Sequence, residues 1–452
     1  MPSGGAPHPV QGSPPPMKIP DHFRSRIRHA HEFVTRQGMA TIGNLVYGLL
    51  CVRLLPVSDY AKFAIIFGFM GTLTVLTDTV TTGTIAPLVG DRLSDRKLIA
   101  DYIATTRHIV TMVYFAIAPI ATVVLLVALS RHEWTVLNNL QIVAAILFIS
   151  WFARIGGTYA TVLFLMRDRT FFYRVQIIGS LGSLILLCFA WAIHELNLYV
   201  CVLLNCAQVV YQATSTYRRA RFLLQEDGRV NRTMQRQVVQ LAFPGVPGAV
   251  FYALQGQIML MLLVLIGRGT TSIANLGALG RLGQILTFFS MVNPVFVEPF
   301  FAKLQEDKVF KRYVLAVGLA ALSLGMFCAT GFLFPQYYLL LLGPHYQNLR
   351  FEVGLIILSS SLGFLAGYMH TIHTSRRFVY WWNNIVNIVA IVGIQAYCIW
   401  RFDLTVLRNL LLMNVLTVAS SLFIQILTGI YGFIFGPQKM IGGHSQPVTE
   451  IQ

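Results

Sequence analysis

Charge is what this sequence has least of. Asp, Glu, Lys and Arg make up 12% of its 452 residues, where an ordinary soluble domain carries roughly 25%. Acidic residues are the scarcer sign, 18 against 34 basic ones. Hydrophobic residues reach 55%, too many to hide inside one water-soluble globule, so a bilayer is the expected solvent. Cysteine is sparse too: the six thiols all fall in apolar segments and none forms CxxC, which argues against a disulfide framework or a zinc site. Enzymatic motifs are missing. There is no GxxxxGK[ST] phosphate loop, and His31-Glu32, His132-Glu133 and His194-Glu195 lack the second histidine of HExxH. No DxD-type acidic pair is present, and no long outer loop offers room for a catalytic domain. The chain is therefore expected not to be an enzyme and to need no resident cofactor. No short apolar core with a small-residue cleavage site follows the basic start, so no cleaved signal peptide is expected.

What is present is apolar sequence in long runs. A span needs about 20 largely apolar residues. Twelve stretches qualify: 38–55, 61–83, 109–130, 139–165, 172–193 and 196–216, then 242–266, 273–298, 313–334, 351–374, 378–400 and 409–434. This predicts an all-α polytopic membrane protein of about twelve transmembrane helices. On alternate sides of these spans, twenty-five Lys and Arg fall with the N-terminal tail and seven fall opposite. By the positive-inside rule both termini are cytoplasmic. The net charge of +16 then reflects orientation and attraction to lipid headgroups, and nucleic acid is not an expected partner.

The chain also repeats. A shift of 212 positions brings Gly68, Gly71, Pro87 and Asp95 onto Gly280, Gly283, Pro299 and Asp307. With six spans in each half, the halves insert the same way round. A pseudo-two-fold axis along the membrane normal should relate two six-helix lobes, with a cavity between them. The expected organisation is a disordered basic cytoplasmic tail over 1–36, an N-terminal lobe over 37–217 and a basic cytoplasmic linker over 218–240. A C-terminal lobe over 241–435 and a cytoplasmic tail over 436–452 follow.

Polar residues inside spans are the candidate site. Arg154 shares a helical stripe with Ser150, Thr158 and Thr161; Asp78 sits with Thr74, Thr81 and Thr82; Arg281 is one turn from Gln284. A charge at the bilayer centre costs about 2.5–3.5 kcal/mol, so each must face water or a partner. Asp78 with Arg154 as a structural pair is one reading, and a wet lumen is the other. Neutral stripes include Asn44 in the first span, Asn205 and Gln208 in the sixth, Gln255 with Tyr252 in the seventh, and Tyr380, Asn384, Asn387 and Gln395 in the eleventh. Interhelical hydrogen bonds explain any single stripe. Several stripes in both halves fit a polar lumen, where amides suit sugars and arginines suit phosphate.

Several segments resemble one family. LLPVSDYAKFAIIFGFMGTLTVLTD (54–78) is similar to the LG-x-x-x-Y-G pattern opening the second span of bacterial polysaccharide flippases. LAFPGVPGAVFYALQGQIMLMLLV (241–264) and GALGRLGQILTFFSMVNPVFVEPFFAKL (277–304) resemble their seventh and eighth spans. LLLLGPHYQNLRFEVGLIILSSSLGFLAG (339–367) resembles their L-x-G-x-x-Y loop and tenth span. These belong to the polysaccharide transporter branch of the multidrug/oligosaccharidyl-lipid/polysaccharide (MOP) exporter superfamily. The resemblance implies alternating access between two lobes in the bacterial inner membrane. The implied substrate is undecaprenyl-pyrophosphate-linked oligosaccharide destined for O-antigen, capsule or exopolysaccharide, and a polysaccharide polymerase and chain-length regulator are the expected partners. The family's glycine after the tyrosine is Ala61 here, and its acidic residue in the seventh span is replaced by Gln255 or Gln257. Protons and sodium ions both stay open as coupling ions. The competing readings are a multidrug exporter of the same superfamily, a membrane-embedded polysaccharide polymerase or ligase, and a structural subunit.

Overall fold

A computed structural model describes residues 21–436, apart from 79–80, 91, 133, 267–268, 291–292 and 379. The described residues form helices and no strand. In the first half these are α1 (Asp21–Leu54), α2 (Val57–Asp78), a short α3 (Ile85–Val89), α4 (Arg96–Leu129), α5 (Val136–Leu165), α6 (Arg169–Ala192) and α7 (Leu198–Leu224). A connecting α8 (Arg232–Ala242) leads to α9 (Val246–Gln255), α10 (Ile258–Ile266), α11 (Thr270–Ser290), α12 (Glu298–Ala302), α13 (Glu306–Leu333), α14 (Pro335–Leu342), α15 (Arg350–Ser375), α16 (Trp381–Arg401) and α17 (Leu407–Phe435). Helices are what hydrocarbon permits, since each satisfies its own backbone. Side-chain caps fix several starts: Asp95 accepts from the Leu98 N–H (2.9 Å), Thr135 from Asn138 (3.3 Å) and Asn197 from Val200 (3.0 Å).

Ten helical stretches are long and apolar enough to cross a membrane: α2, α4 to α7, 232–255, α13 and α15 to α17. Helices α1 and α11 complete the expected twelve. They are less apolar because Gln37 and Asn44 lie in one and Arg281 and Gln284 in the other. Three boundaries differ from expectation. Helix α1 begins at Asp21, inside the stretch read as a tail; residues 1–20 and the tail from 437 lie outside the described residues. The basic linker is largely helical, because α7 runs on to Leu224 and α8 starts at Arg232. The seventh span is two helices, α9 and α10, parted at Gly256 and Gln257.

The repeat is visible in the packing. The 212-residue shift carries α2 onto α11, α3 onto α12 and α4 onto α13, while α5, α6 and α7 match α15, α16 and α17 in order. In the first half α5 packs on α2, α4 and α7, and α6 packs on α7; in the second, α15 packs on α11, α13 and α17, and α16 packs on α17. Helix α2 also packs against its own repeat partner α11. The two lobes therefore meet along the axis that relates them.

Three apolar cores show how the lobes are joined. The largest contains residues of both: Tyr60, Phe63 and Leu129 from the first half with Val264, Leu279 and Tyr346 from the second. The second core is wholly N-lobe and linker, with Ile103, Leu163, Leu224 and Val238. The third is wholly C-lobe, with Phe301, Tyr313, Met369 and Ile372. The single-lobe cores lie at the end where Arg96, Arg167, Arg218, Lys303 and Arg376 cluster. The lobes thus adhere at the sparsely charged end and keep separate cores at the basic end.

Candidate functional site

Small residues let the lobes touch. A Cβ on Gly277 of α11 would stand 2.5 Å from the Cβ of Ala64 on α2. A Cβ on Gly68 would run into Leu260 and come within 2.8 Å of the Gln257 amide oxygen. Around this contact lies a cavity of about 270 Å³, lined by α2, α10, α11 and α15. Gly68 and Gly280, equivalent under the repeat, both line it, which places it on the axis between the lobes. The one charged side chain in its wall is Arg281. Arg281 is 7% exposed, sits 4.6 Å from the ring of Phe67 and donates to Gln284 Oε1 (3.2 Å). A Cβ on Gly48 of α1 would be 3.0 Å from its guanidinium carbon, so that glycine makes room for the group. No carboxylate pairs with it among the described residues.

Arg154 occupies a different place. It is 5% exposed in the seam between α4 and α5, where Nη1 donates to Thr111 Oγ1 (2.6 Å). Its guanidinium lies 4.0 Å from the ring of Trp151 and 5.4 Å from that of Tyr114. Asp78 is not its partner. The Asp78 carboxylate accepts from the Thr82 N–H (3.0 Å), Thr82 Oγ1 (2.5 Å) and Thr81 Oγ1 (3.2 Å). At the end of α2 this carboxylate serves the turn that follows, as aspartates often do at such chain reversals. The structural-pair reading is set aside, because each group has found other neighbours.

Most of the neutral stripes bind helices within one lobe. In the N-lobe Ser183 donates to Gln208 Oε1 (2.8 Å), and Gln208 donates to Asn44 Oδ1 (2.9 Å), tying α6, α7 and α1. Asn205 is buried, and its side-chain oxygen has no partner among the described residues. In the C-lobe Gln395 donates to Gln255 Oε1 (2.7 Å), Asn387 to Tyr252 Oη (2.8 Å) and Ser421 to Asn387 Oδ1 (3.0 Å), joining α9, α16 and α17. In the eleventh span Asn387 is buried, as is Asn383 one turn before it, while Asn384 is exposed. Apart from Asn205 and Asn383, whose side-chain oxygens have no partner among the described residues, the buried amides of these stripes bond to one another and so shape the lobes.

The architecture has counterparts among solved structures. An inward-facing multidrug resistance MATE family transporter of the MOP superfamily superposes with a TM-score of 0.60 at 14% identity, over 88% of this chain and 93% of that one. The lipid II flippase MurJ, in an inward closed conformation, gives 0.64 at 8% identity over 89% of each. The MATE multidrug transporter DinF-BH gives 0.60 at 15% identity, over 92% and 96%. The chain has their two-lobe fold. At these identities the likeness is one of fold. No protein-family model matches the sequence, and no curated protein matches it.

Of the nine residues singled out from sequence, only Arg281 lines the cavity between the lobes. Sequence reasoning missed Phe67 beneath its guanidinium and Tyr60 in the same wall. The signal that could have found them is the in-register glycine pair Gly68 and Gly280: Phe67 adjoins Gly68, and Tyr60 lies about two turns before it on α2. It also missed a clasp at the sparsely charged end, where Arg131 Nη1 donates to the Leu265 carbonyl (2.7 Å) and His132 Nε2 lies 3.3 Å from the Val264 carbonyl. Both N-lobe side chains reach the last turn of the C-lobe helix α10, whose carbonyls have no partner within the helix.

Proposed function

We propose that this chain is a secondary transporter of the MOP type that flips undecaprenyl-pyrophosphate-linked oligosaccharide by alternating access. It is not an enzyme in this reading, and it sits in the bacterial inner membrane with both termini cytoplasmic. The observation that carries the reading is the charge of the inter-lobe cavity: its single charged group is the Arg281 guanidinium. A planar cation with unspent N–H donors suits a diphosphate. A carrier of organic cations would place a carboxylate there instead, which weighs against the multidrug alternative. Two lobes joined at one end, with separate cores at the other, support a rocking motion that parts the α2–α11 contact when the sparsely charged end opens. The basic end would open to the cytoplasm, where lipid-linked sugars are assembled. With the interior negative, outward passage of an anion is downhill by about 2.3 kcal/mol per charge per 100 mV. Protons or sodium ions would reset the carrier.

Arg281→Ala tests this. No carboxylate among the described residues pairs with Arg281, so its removal strands no buried counter-charge there, and membrane abundance should stay near normal. Surface polysaccharide should be lost, and lipid-linked oligosaccharide should accumulate in the cytoplasmic leaflet. Normal surface polysaccharide in Arg281→Ala would overturn the proposed role. Arg281→Lys should restore part of the activity, since it keeps the charge and loses the fork.

A further inference from the structure

A buried arginine in a membrane span has five N–H donors to satisfy and a charge to offset. Arg154 does neither fully. Nη1 is bonded to Thr111, while Nε is buried with no partner among the described residues. No carboxylate lies within ion-pair distance of it among the described residues. Trp151 and Tyr114 supply ring faces, which attract the cation without accepting its hydrogens.

A second cation stands beside it. Arg107 lies on α4 one helical turn from Thr111, the residue that holds Arg154. Arg107 Nη1 donates to Tyr159 Oη on α5 (3.0 Å), and the side chain is otherwise exposed. It too has no carboxylate partner among the described residues. Beyond it, Tyr159 packs edge-on to Tyr217 at 4.8 Å, and Tyr217 accepts from Arg221 (3.2 Å) at the basic end of α7. Arg221 has its own acid in Asp227 (2.5 Å). The track therefore begins with a neutralised arginine at the basic end and finishes, deeper in the lobe, with two that are not neutralised.

Two like charges held in one seam, without an anion, repel each other. An anion with several acceptor oxygens would reverse that, filling the empty donors of both forks at once. We infer that Arg107 and Arg154 form an anion site in the α4–α5 seam, separate from the Arg281 cavity, for a phosphate or diphosphate ester. Its occupant is either the diphosphate of the transported lipid, arriving from the basic end, or the headgroup of a bilayer phospholipid. The inference rests on the transport reading only for what brings the ligand. Its test reads binding alone, so each can fail without the other.

Trp151 is a built-in reporter, since the guanidinium lies over its ring. The full chain, with the other five tryptophans changed to Phe, is placed in phosphatidylcholine nanodiscs and titrated with inorganic pyrophosphate against sodium chloride of matched ionic strength. We expect a saturable change in Trp151 emission with pyrophosphate alone. Arg107→Gln should raise the midpoint at least fivefold, and Arg154→Gln should abolish the response while the far-ultraviolet helix signal is kept. Repeating the titration in nanodiscs containing phosphatidylglycerol separates the sources. Emission already shifted there, with pyrophosphate adding little, assigns the site to a lipid headgroup; an unshifted start with a full response assigns it to the diphosphate of the cargo. No change in either nanodisc would overturn the site. So would a response that survives both substitutions unaltered.

Discussion

Tyr60 and Tyr346, one from each lobe, meet edge to face with ring centroids 6.5 Å apart. Both are essentially inaccessible, and neither hydroxyl has a hydrogen-bond partner among the described residues. The rings seal the sparsely charged end, and Tyr346 reaches Tyr60 because Gly343, at φ 100°, turns the chain sharply after α14. A buried hydroxyl without a partner contributes nothing and costs desolvation. Tyr346→Phe should therefore leave thermal stability in detergent unchanged or raise it by up to about 1 kcal/mol. Tyr346→Ala empties a large volume and should cost about 3–5 kcal/mol. Equal losses in the two variants would show that the hydroxyl, and not the ring, holds the contact.

The clasp on α10 should respond to pH. His132 is 4% exposed, and burial lowers its pKa from the usual histidine value. Its Nδ1 is buried without a partner among the described residues, as befits a neutral ring whose Nε2 carries the proton toward Val264. When the folded pKa is depressed, the unfolded or opened state binds protons more readily, so stability is full above the opened-state pKa and falls with acidification. A spin-label distance between α10 and the α4–α5 loop should lengthen or broaden between about pH 8 and about pH 5. His132→Asn should flatten that response, and Arg131→Ala should open the clasp at every pH. A distance that stays constant in the native chain would rule the histidine out as the sensitive group.

Composition made the architecture legible. Hydrocarbon admits few backbone solutions, so apolar runs convert almost directly into helices, and the 212-residue repeat converts into two lobes. Arg281 was legible for the same reason, since a charge in a span must go somewhere. Destinations were harder. The stripe holding Asn44 and Gln208 reads equally well as lumen wall or as interhelical bond, and the side chain that decides, Ser183, lies on another helix. Polarity alone does not separate Asn384 from Asn383, because one residue of register is about 100° of rotation on a helix with polar groups on both sides. The break between α9 and α10 falls at Gly256-Gln257. A lone glycine inside an apolar run does not distinguish a break from a packing site.

Asp78 and Arg154 should behave as independent sites. Asp78→Asn loses acceptor charge at a turn and should cost about 1 kcal/mol, in the range of a lost helix cap. Arg154→Asp loses both ring contacts and the bond to Thr111, and leaves a shorter carboxylate in the α4–α5 seam it shares with Arg107, so membrane abundance should drop. The double exchange Arg154→Asp/Asp78→Arg should then be no better than Arg154→Asp alone. Two residues sharing no contact couple by no more than about 0.5 kcal/mol. Recovery of abundance in the exchange would mean that the pair forms after all.

The contact between Ala64 and Gly277 offers the most direct hold on the proposed motion. The two positions face each other across the axis, where a Cβ on Gly277 would stand 2.5 Å from that of Ala64. Disulfide-bonded cysteines keep their Cβ atoms about 3.8 Å apart, so Ala64→Cys/Gly277→Cys should bridge after the helices part by a small amount. The native cysteines must be removed first; Cys51, Cys201 and Cys398 are buried, and conservative Ala or Ser exchanges there need checking for abundance. If the sparsely charged end opens by parting this contact, oxidation should lock that end shut and stop transport, and a reductant should restore it. Gly277→Leu makes the opposite intervention. Its side chain cannot fit against Ala64 and the Tyr60 ring, which lies within 3.4 Å of the same Cβ position, so the variant should favour the state in which this end is open. A thiol probe introduced at Gly280 should then become more reactive from the outer face and less from the inner. Full transport by the oxidised, verified cross-link would show that the lobes do not separate here, and alternating access that parts the α2–α11 contact would have to be abandoned.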